Sequence, residues 1–314
     1  MIIIDNILDA AFPNTGTVLT IGSFDGVHLG HRRILDEVKR HAEERNLTSA
    51  VITFKPHPRQ FFSPGHAPNL LTCDTKKQAL LCEAGMDAVL ILPFDAEVAA
   101  MEPEEFVRRV LVERCNAKAV VVGHDFRFGN KARGDFELLA ELAERQAIEV
   151  AQAPALLIDG ERVSSTFIRE QLMLGDLETV LRFLGRPYSV TGIVNSGQQI
   201  GSTLGFPTAN IRPYHSAMPG IGVYVAEARW RDQRFPAAVN IGVAPTIRNR
   251  DLTMEAFILD FSHDLVGETL EVVFLKRLRD EQRFPSVQHL IAQIQQDVTA
   301  VRAYFAAQKD SGVQ

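Results

Sequence analysis

Five short runs rich in Val, Ile and Leu punctuate the first half of the chain: Thr17–Ile21, Ser49–Phe54, Asp87–Leu92, Ala117–Gly123 and Ile148–Gln152. They show little polar alternation, so each reads as a strand buried on both faces. Helical stretches separate them. Arg32–Arg45 follows the first run. Asp74 is placed to cap a helix ending at Gly85, and Pro103 suits the first turn of a helix reaching about Cys115. Gly134–Gln146 sets Phe136, Leu138, Leu139 and Leu142 on one side. Strand–helix–strand repetition predicts an α/β domain with a doubly wound parallel sheet, whose ligands bind beyond the carboxyl ends of the strands.

At the end of the first strand stands Gly22-Ser23-Phe24-Asp25-Gly26-Val27-His28-Leu29-Gly30-His31. A turn with two glycines delivers a His-x-Gly-His pair to a helix start. Backbone N–H groups there attract phosphate, and glycines such as Gly22 and Gly30 let it approach. Two imidazoles add donors for charge developing on a phosphoryl group, which points to the triphosphate site of a nucleotidyltransferase. A metal pair at i, i+3 needs a third ligand, and none stands nearby in sequence. Other segments also fall near strand ends. Phe54-Lys55-Pro56-His57-Pro58 is a stiff turn able to wall a pocket. Gly123-His124-Asp125-Phe126-Arg127-Phe128-Gly129 combines a carboxylate, a guanidinium and two aromatics, a mixture suited to a flat ring and its phosphate. Ser164, Ser165 and Thr166, followed by Arg169, look like a helix start that grips polyphosphate.

The chain has 314 residues, which suggests two domains. A formal net charge of −6 predicts no general attraction to nucleic acid or anionic membrane. The three cysteines, Cys73, Cys82 and Cys115, are far apart and odd in number; they read as reduced, buried thiols of a cytoplasmic protein. The start, Met1-Ile2-Ile3-Ile4-Asp5, lacks the basic flank of a signal peptide, and no apolar run reaches the length of a membrane span.

Texture changes near Gly185, giving expected domains at 1–185 and 186–314. Short strands at Tyr188–Val194, Gly222–Trp230, Phe235–Ile241, Leu252–Phe261 and Thr269–Leu278 predict a small antiparallel barrel, closed by a helix from Ser286 to about Phe305. Gly205-Phe206-Pro207-Thr208-Ala209-Asn210 puts Thr208 and Asn210 on one side of an extended segment. Both offer hard oxygen ligands suited to Mg²⁺ and its phosphates. Alternation puts Glu255 on the face of Phe257, Leu259 and Phe261, where partial desolvation makes a carboxylate a better base toward a hydroxyl. No G-x-x-x-x-G-K-[ST] occurs, so a kinase here is not of the P-loop kind.

In this order the motifs resemble the bacterial bifunctional riboflavin kinase/FAD synthetase family over essentially the whole chain. Asn240-Ile241-Gly242-Val243-Ala244-Pro245-Thr246 and Phe274-Leu275-Lys276-Arg277-Leu278-Arg279-Asp280-Glu281 extend the likeness. The resemblance implies two activities. A C-terminal barrel phosphorylates riboflavin with ATP and Mg²⁺, and an N-terminal domain joins FMN to AMP from ATP, releasing pyrophosphate and giving FAD. It implies that His28 and His31 stabilise the α-phosphate transition state, that Ser164, Ser165 and Arg169 hold the triphosphate, and that Asp125 and Phe128 lie in the flavin- and ATP-contacting loop. Thr208 and Asn210 organise Mg·ATP, and Glu255 is the base. Implied partners are small molecules, with the oligomeric state open. The chain departs from the family at Ile200 and Ser202, where basic residues usually flank the glycine matching Gly201, and at Phe167, a position often basic. Two rivals stand beside this reading: another His-x-Gly-His enzyme, and a flavin-binding protein whose barrel has lost kinase activity.

Overall fold

The structure is a computed structural model that describes residues 1–9, 12, 15–65, 67–196, 204–214, 217–243 and 252–310. Ile200, Gly201 and Ser202, and the Ala244-Pro245-Thr246 end of one motif, lie outside the described residues. Packing divides the chain into two compact units: Met1–Pro68 with Asp74–Ser164, and Asn69–Cys73 with Ser165–Gln314.

The first unit runs β1 (Ile2–Ile4), β2 (Thr17–Ile21), α1 (Leu29–Arg45), β3 (Thr48–Lys55), α2 (Pro58–Phe62), α3 (Asp74–Glu83), β4 (Ala88–Pro93), α4 (Ala96–Ala100), α5 (Pro103–Phe106), β5 (Ala117–Gly123), α6 (Phe136–Glu144), β6 (Glu149–Ala153), β7 (Leu157–Ile158) and β8 (Glu161–Arg162). After α5 a π-helical segment, Val107–Arg114, carries the chain toward β5. The main sheet has the order β1-β4-β3-β2-β5-β6, and every pairing in it is parallel. Alternate strand residues feed two cores. Leu19, Ile52, Leu90 and Val120 pack on one face; Val18, Val51, Val89 and Val121 meet Leu35, Val38, Leu80 and Leu81 of α1 and α3 on the other. This is why the strands lack polar alternation. β1 escapes a periodicity reading because it is three residues long, yet it pairs with β4 at the sheet edge. The chain winds from β2 through β3 to β4, then returns to the other side of β2 for β5, so the switch point lies between β2 and β5.

The second unit starts with α7 (Ser165–Leu174) and α8 (Leu177–Leu184). Six strands follow: β9 (Tyr188–Asn195), β10 (Thr208–Pro213), β11 (Gly222–Trp230), β12 (Gln233–Val243), β13 (Leu252–Ile258) and β14 (Thr269–Arg279). They close a barrel in the order β10-β13-β12-β11-β14-β9, all antiparallel. Alanines 226, 228, 237 and 256 are fully buried with Tyr224 and Phe274, whose rings meet edge to face. Helix α9 (Val287–Asp310) covers part of the outer face through Val298, Val301, Tyr304 and Phe305 against Val225, Phe257 and Leu259. β13 stops at Ile258, three residues before the expected Phe261, because a turn begins at Leu259.

Of the three cysteines none is in a disulfide, but only Cys115 is buried, its thiol pushed up to about 12 by burial. The expectation of buried thiols fails at Cys82, which is exposed on α3.

Helix α8 buries Leu177, Val180, Phe183 and Leu184 and ends on Gly185 in the left-handed region (φ 73°). It packs on β9 and β14. A fragment starting at Arg186 loses that cover, whereas one starting at Ser165 keeps it. We expect the longer fragment to be the more stable by several kcal/mol, at ~1.5–3 kcal/mol per buried apolar side chain. Urea unfolding of the two fragments checks this; equal midpoints would show that α8 adds nothing to the barrel.

Candidate functional site

In the first unit the site grows from the turn between β2 and α1. Phe24 (φ 50°) and Val27 (φ 38°) hold positive φ on either side of Gly26. A β-branched residue there is strained, and such strain persists where the surroundings over-determine it. Both side chains are buried, as is Asp25. The turn makes His28 the N-cap of α1, its Nδ1 accepting from the His31 backbone N–H at 3.2 Å. The two imidazoles stack at 3.6 Å, and Phe24 lies 5.0 Å from His31. Gly30 makes room: a Cβ there would stand 3.2 Å from the His28 ring and 3.3 Å from the Val163 carbonyl oxygen. At Gly22 a Cβ would meet the Phe24 ring at 3.1 Å. The segment ending at Ser164 therefore passes the start of α1.

Asp125 follows β5, on the other side of the switch point. It is exposed and paired with Arg162. Desolvation raises its pKa, but the Arg162 hydrogen bond and charge outweigh that, so the carboxyl lies below its usual range. Phe128 is buried at 7% exposure against Phe106, with the half-buried Phe126 stacked on it at 5.4 Å. One further group lies largely outside the motifs quoted above. Phe54, Phe61, Phe62 and Phe94 form an aromatic cluster beyond the carboxyl ends of β3 and β4, with Phe62 62% exposed. Its signal was the clustering of phenylalanines just past predicted strands.

Ser165, Thr166 and Arg169 belong to the second unit. The serine and threonine open α7, and Arg169 Nε donates to the Asn69 carbonyl at 2.9 Å. In the barrel, register assembles the remaining residues. Asn210 pairs with Glu255 across β10 and β13, and Glu255 pairs with Asn240 across β12. Thr208 pairs with Phe257. Directly paired residues share a face, so Thr208, Asn210, Glu255 and Asn240 line one outer patch. Gly205 is in the left-handed region (φ 86°) and, with Pro207, leads into β10. The barrel interior takes Met254, Ala256 and Ile258; Glu255 and Phe257 occupy the half-buried outer face. Glu255 thus shares a face with Phe257, as alternation predicts, but that face is not the fully apolar one. Partial burial still raises its pKa.

Comparison with known proteins follows this division. Residues 12–167 match the family model described as FAD synthetase, and residues 184–305 match the one described as riboflavin kinase. A bifunctional riboflavin kinase/FMN adenylyltransferase of Haemophilus influenzae is 38% identical over 92% of this chain and 94% of its own length. Those of Pseudomonas fluorescens (40%, covering 93% and 94%) and Escherichia coli K12 (37%, covering 95% of each) are similarly related. A solved structure described as a macrolide-efflux protein from Streptococcus pneumoniae superposes with a TM-score of 0.86 at 30% identity, covering 96% of this chain and 98% of that one. Among the described residues no helix is long and apolar enough to cross a membrane.

The capping role of His28 can be separated from any other. His28→Ala removes the side-chain acceptor and is expected to cost about 1 kcal/mol, whereas His28→Asn restores a good cap and most of that stability. Thermal unfolding checks the pair; equal losses would mean that ring packing, not the cap, holds the helix start.

Proposed function

The chain belongs to the bifunctional riboflavin kinase/FMN adenylyltransferase family, and from that premise we propose which residues carry each reaction. Riboflavin, FMN and ATP are its substrates and FAD its final product.

Adenylyl transfer falls to the β2–α1 turn. A phosphate oxygen of FMN attacks the α-phosphorus of ATP, and the bond to pyrophosphate breaks. That nucleophile is already an anion, so the protein must position the reactants and stabilise charge. The stacked rings of His28 and His31 at a helix N-terminus suit the second task. Asp125 and the exposed Phe62 of the aromatic cluster are the flavin walls of this reading, while Phe128, buried against Phe106, holds the loop that carries Asp125. Ser164, Ser165, Thr166 and Arg169 are the triphosphate contacts of this reading.

Phosphorylation falls to the barrel. The observation that carries this assignment is the placing of Glu255 between Asn210 and Asn240 on a half-buried face. The terminal ribityl hydroxyl of riboflavin is neutral and needs a base. Its oxygen attacks the γ-phosphorus, its proton passes to Glu255, and ADP leaves. Thr208 and Asn210 supply a hydroxyl and an amide oxygen on the face that carries Glu255. This donor set fits Mg²⁺ with phosphate oxygens and water completing the shell. When bound, the ion would offset phosphate charge.

Two variants divide the activities. His28→Asn, which keeps the cap, is expected to slow FAD formation from FMN about 10²–10³-fold while leaving riboflavin phosphorylation unchanged. Glu255→Gln is expected to slow FMN formation about 10²–10⁴-fold and spare FAD formation. Separate assays of FMN and FAD check both; a Gln variant at the original kinase rate would remove Glu255 as the base.

The raised pKa of Glu255 also has a sign. Folding favours its protonated form, so stability falls as pH rises from the ordinary value of 4.5 through the folded pKa. Glu255→Gln should therefore melt higher than the parent at pH 7 and lose that advantage below 4.5. Kinase activity should decline on acidification as the base fills. A Gln variant that melts lower at pH 7 would show that the carboxylate is paired rather than desolvated.

A further inference from the structure

Beyond the outer patch, β14 ends in a second set of contacts. Arg279 grips Asp297 of α9 with both sides of its fork: Nε to Oδ1 at 3.0 Å and Oδ2 at 3.1 Å, and Nη2 to Oδ2 at 2.7 Å. Both side chains are largely buried, at 17% and 9% exposure. Gln293 adds a hydrogen bond to Asp297 Oδ1 at 3.0 Å. The guanidinium also holds the Asp280 carbonyl at 3.0 Å, and Arg277 ties the Asp280 carboxylate and the Ile221 carbonyl. The backbone before Glu281 is therefore stapled from both sides.

Glu281 itself is exposed, and its carboxylate stands over Gly242. A Cβ on Gly242 would lie 2.7 Å from Glu281 Oε1 and 3.3 Å from Asn240 Nδ2. Asn240 is the cross-strand neighbour of Glu255. The end of β14 thus sets a second carboxylate at the edge of the outer patch. A folded loop carrying an exposed carboxylate needs no buried, doubly gripped ion pair merely to stay in solvent.

We propose that Asp297, acting through Arg279, is a positioning residue of riboflavin phosphorylation that fixes Glu281 as an acceptor for the donor groups of the flavin substrate. This rests on the reading of the Thr208, Asn210 and Glu255 patch as the kinase site. Riboflavin offers ribityl hydroxyls and an imide N–H as donors, and a carboxylate held in place accepts from them more strongly than one left to rotate.

A double-mutant cycle in the full-length enzyme tests this. Asp297→Asn and Glu281→Gln should each raise the KM for riboflavin about tenfold, the worth of one charged hydrogen bond, with kcat and the KM for ATP nearly unchanged. The double variant should be no worse than either single one, because both remove the same contact. Arg279→Lys keeps the charge but loses the fork and should reproduce the effect, which covers the case that the Asp297 variant does not fold. FAD formation from FMN should be untouched in all of them. Additive effects in the double variant, equal losses in both KM values, or parental kinetics in Glu281→Gln would each overturn the proposal. If instead Glu255→Gln keeps full kinase activity, the reading of the patch fails, and the proposal with it.

Discussion

Every strand sends successive residues to opposite faces, and this pleat decides where function can sit in both units. In the parallel sheet both faces are packed, Val18, Val51 and Val89 against one set of helices and Leu19, Ile52 and Leu90 against the other. A polar group placed there without a partner is costly. In such sheets ligands bind beyond the strand ends at the switch point, which here lies between β2 and β5. The barrel meets the same constraint differently. Its interior is narrow and filled by Ala226, Ala237, Ala256 and the Tyr224–Phe274 pair. Polar residues must take the outer face, where antiparallel register brings Asn210, Glu255 and Asn240 side by side from three strands.

The two faces impose two chemistries. At the β2–α1 turn the protein presents two imidazoles and a helix N-terminus, groups suited to anionic reactants. On the barrel the nucleophile is a hydroxyl, and a partly desolvated carboxylate is what such a group needs. On the roles proposed above, the difference between the two nucleophiles accounts for histidines in one unit and a glutamate in the other.

Much of this was legible in the sequence because period and punctuation are strong where burial is complete. Thr17–Ile21, Ala117–Gly123 and Gly222–Trp230 fall where runs of apolar residues placed them. Gly85 and Pro103 marked a helix end and a helix start for the same reason, whereas Gly185, expected as the domain boundary, caps α8 inside the second unit, whose main segment begins at Ser165. Short elements were not legible: β1 gains its order from pairing with β4, not from three isoleucines. Nor was the burial of Phe128, since an aromatic residue in a loop reads alike whether it faces a ligand or the core. The side of Glu255 was readable by alternation, but not which side of the barrel is the inside. That depends on closure, which joins β9 to β14 and β10 to β13 across long stretches of chain.

Closure also explains why α9 belongs to the site's surroundings. The outer face of a barrel has no second layer unless the chain supplies one. Here α9 lays Val298, Val301 and Tyr304 over Val225 and Phe257, partly shielding the face that carries Glu255. A carboxylate on a bare outer strand would keep an ordinary pKa. Partial burial raises the Glu255 pKa and makes its carboxylate a stronger base. The Arg279–Asp297 pair fixes the helix at the end of β14 near that strip. Apolar cover and ion-pair anchor lie around a patch held half in water, the condition that the proposed base needs to meet a hydroxyl and accept its proton.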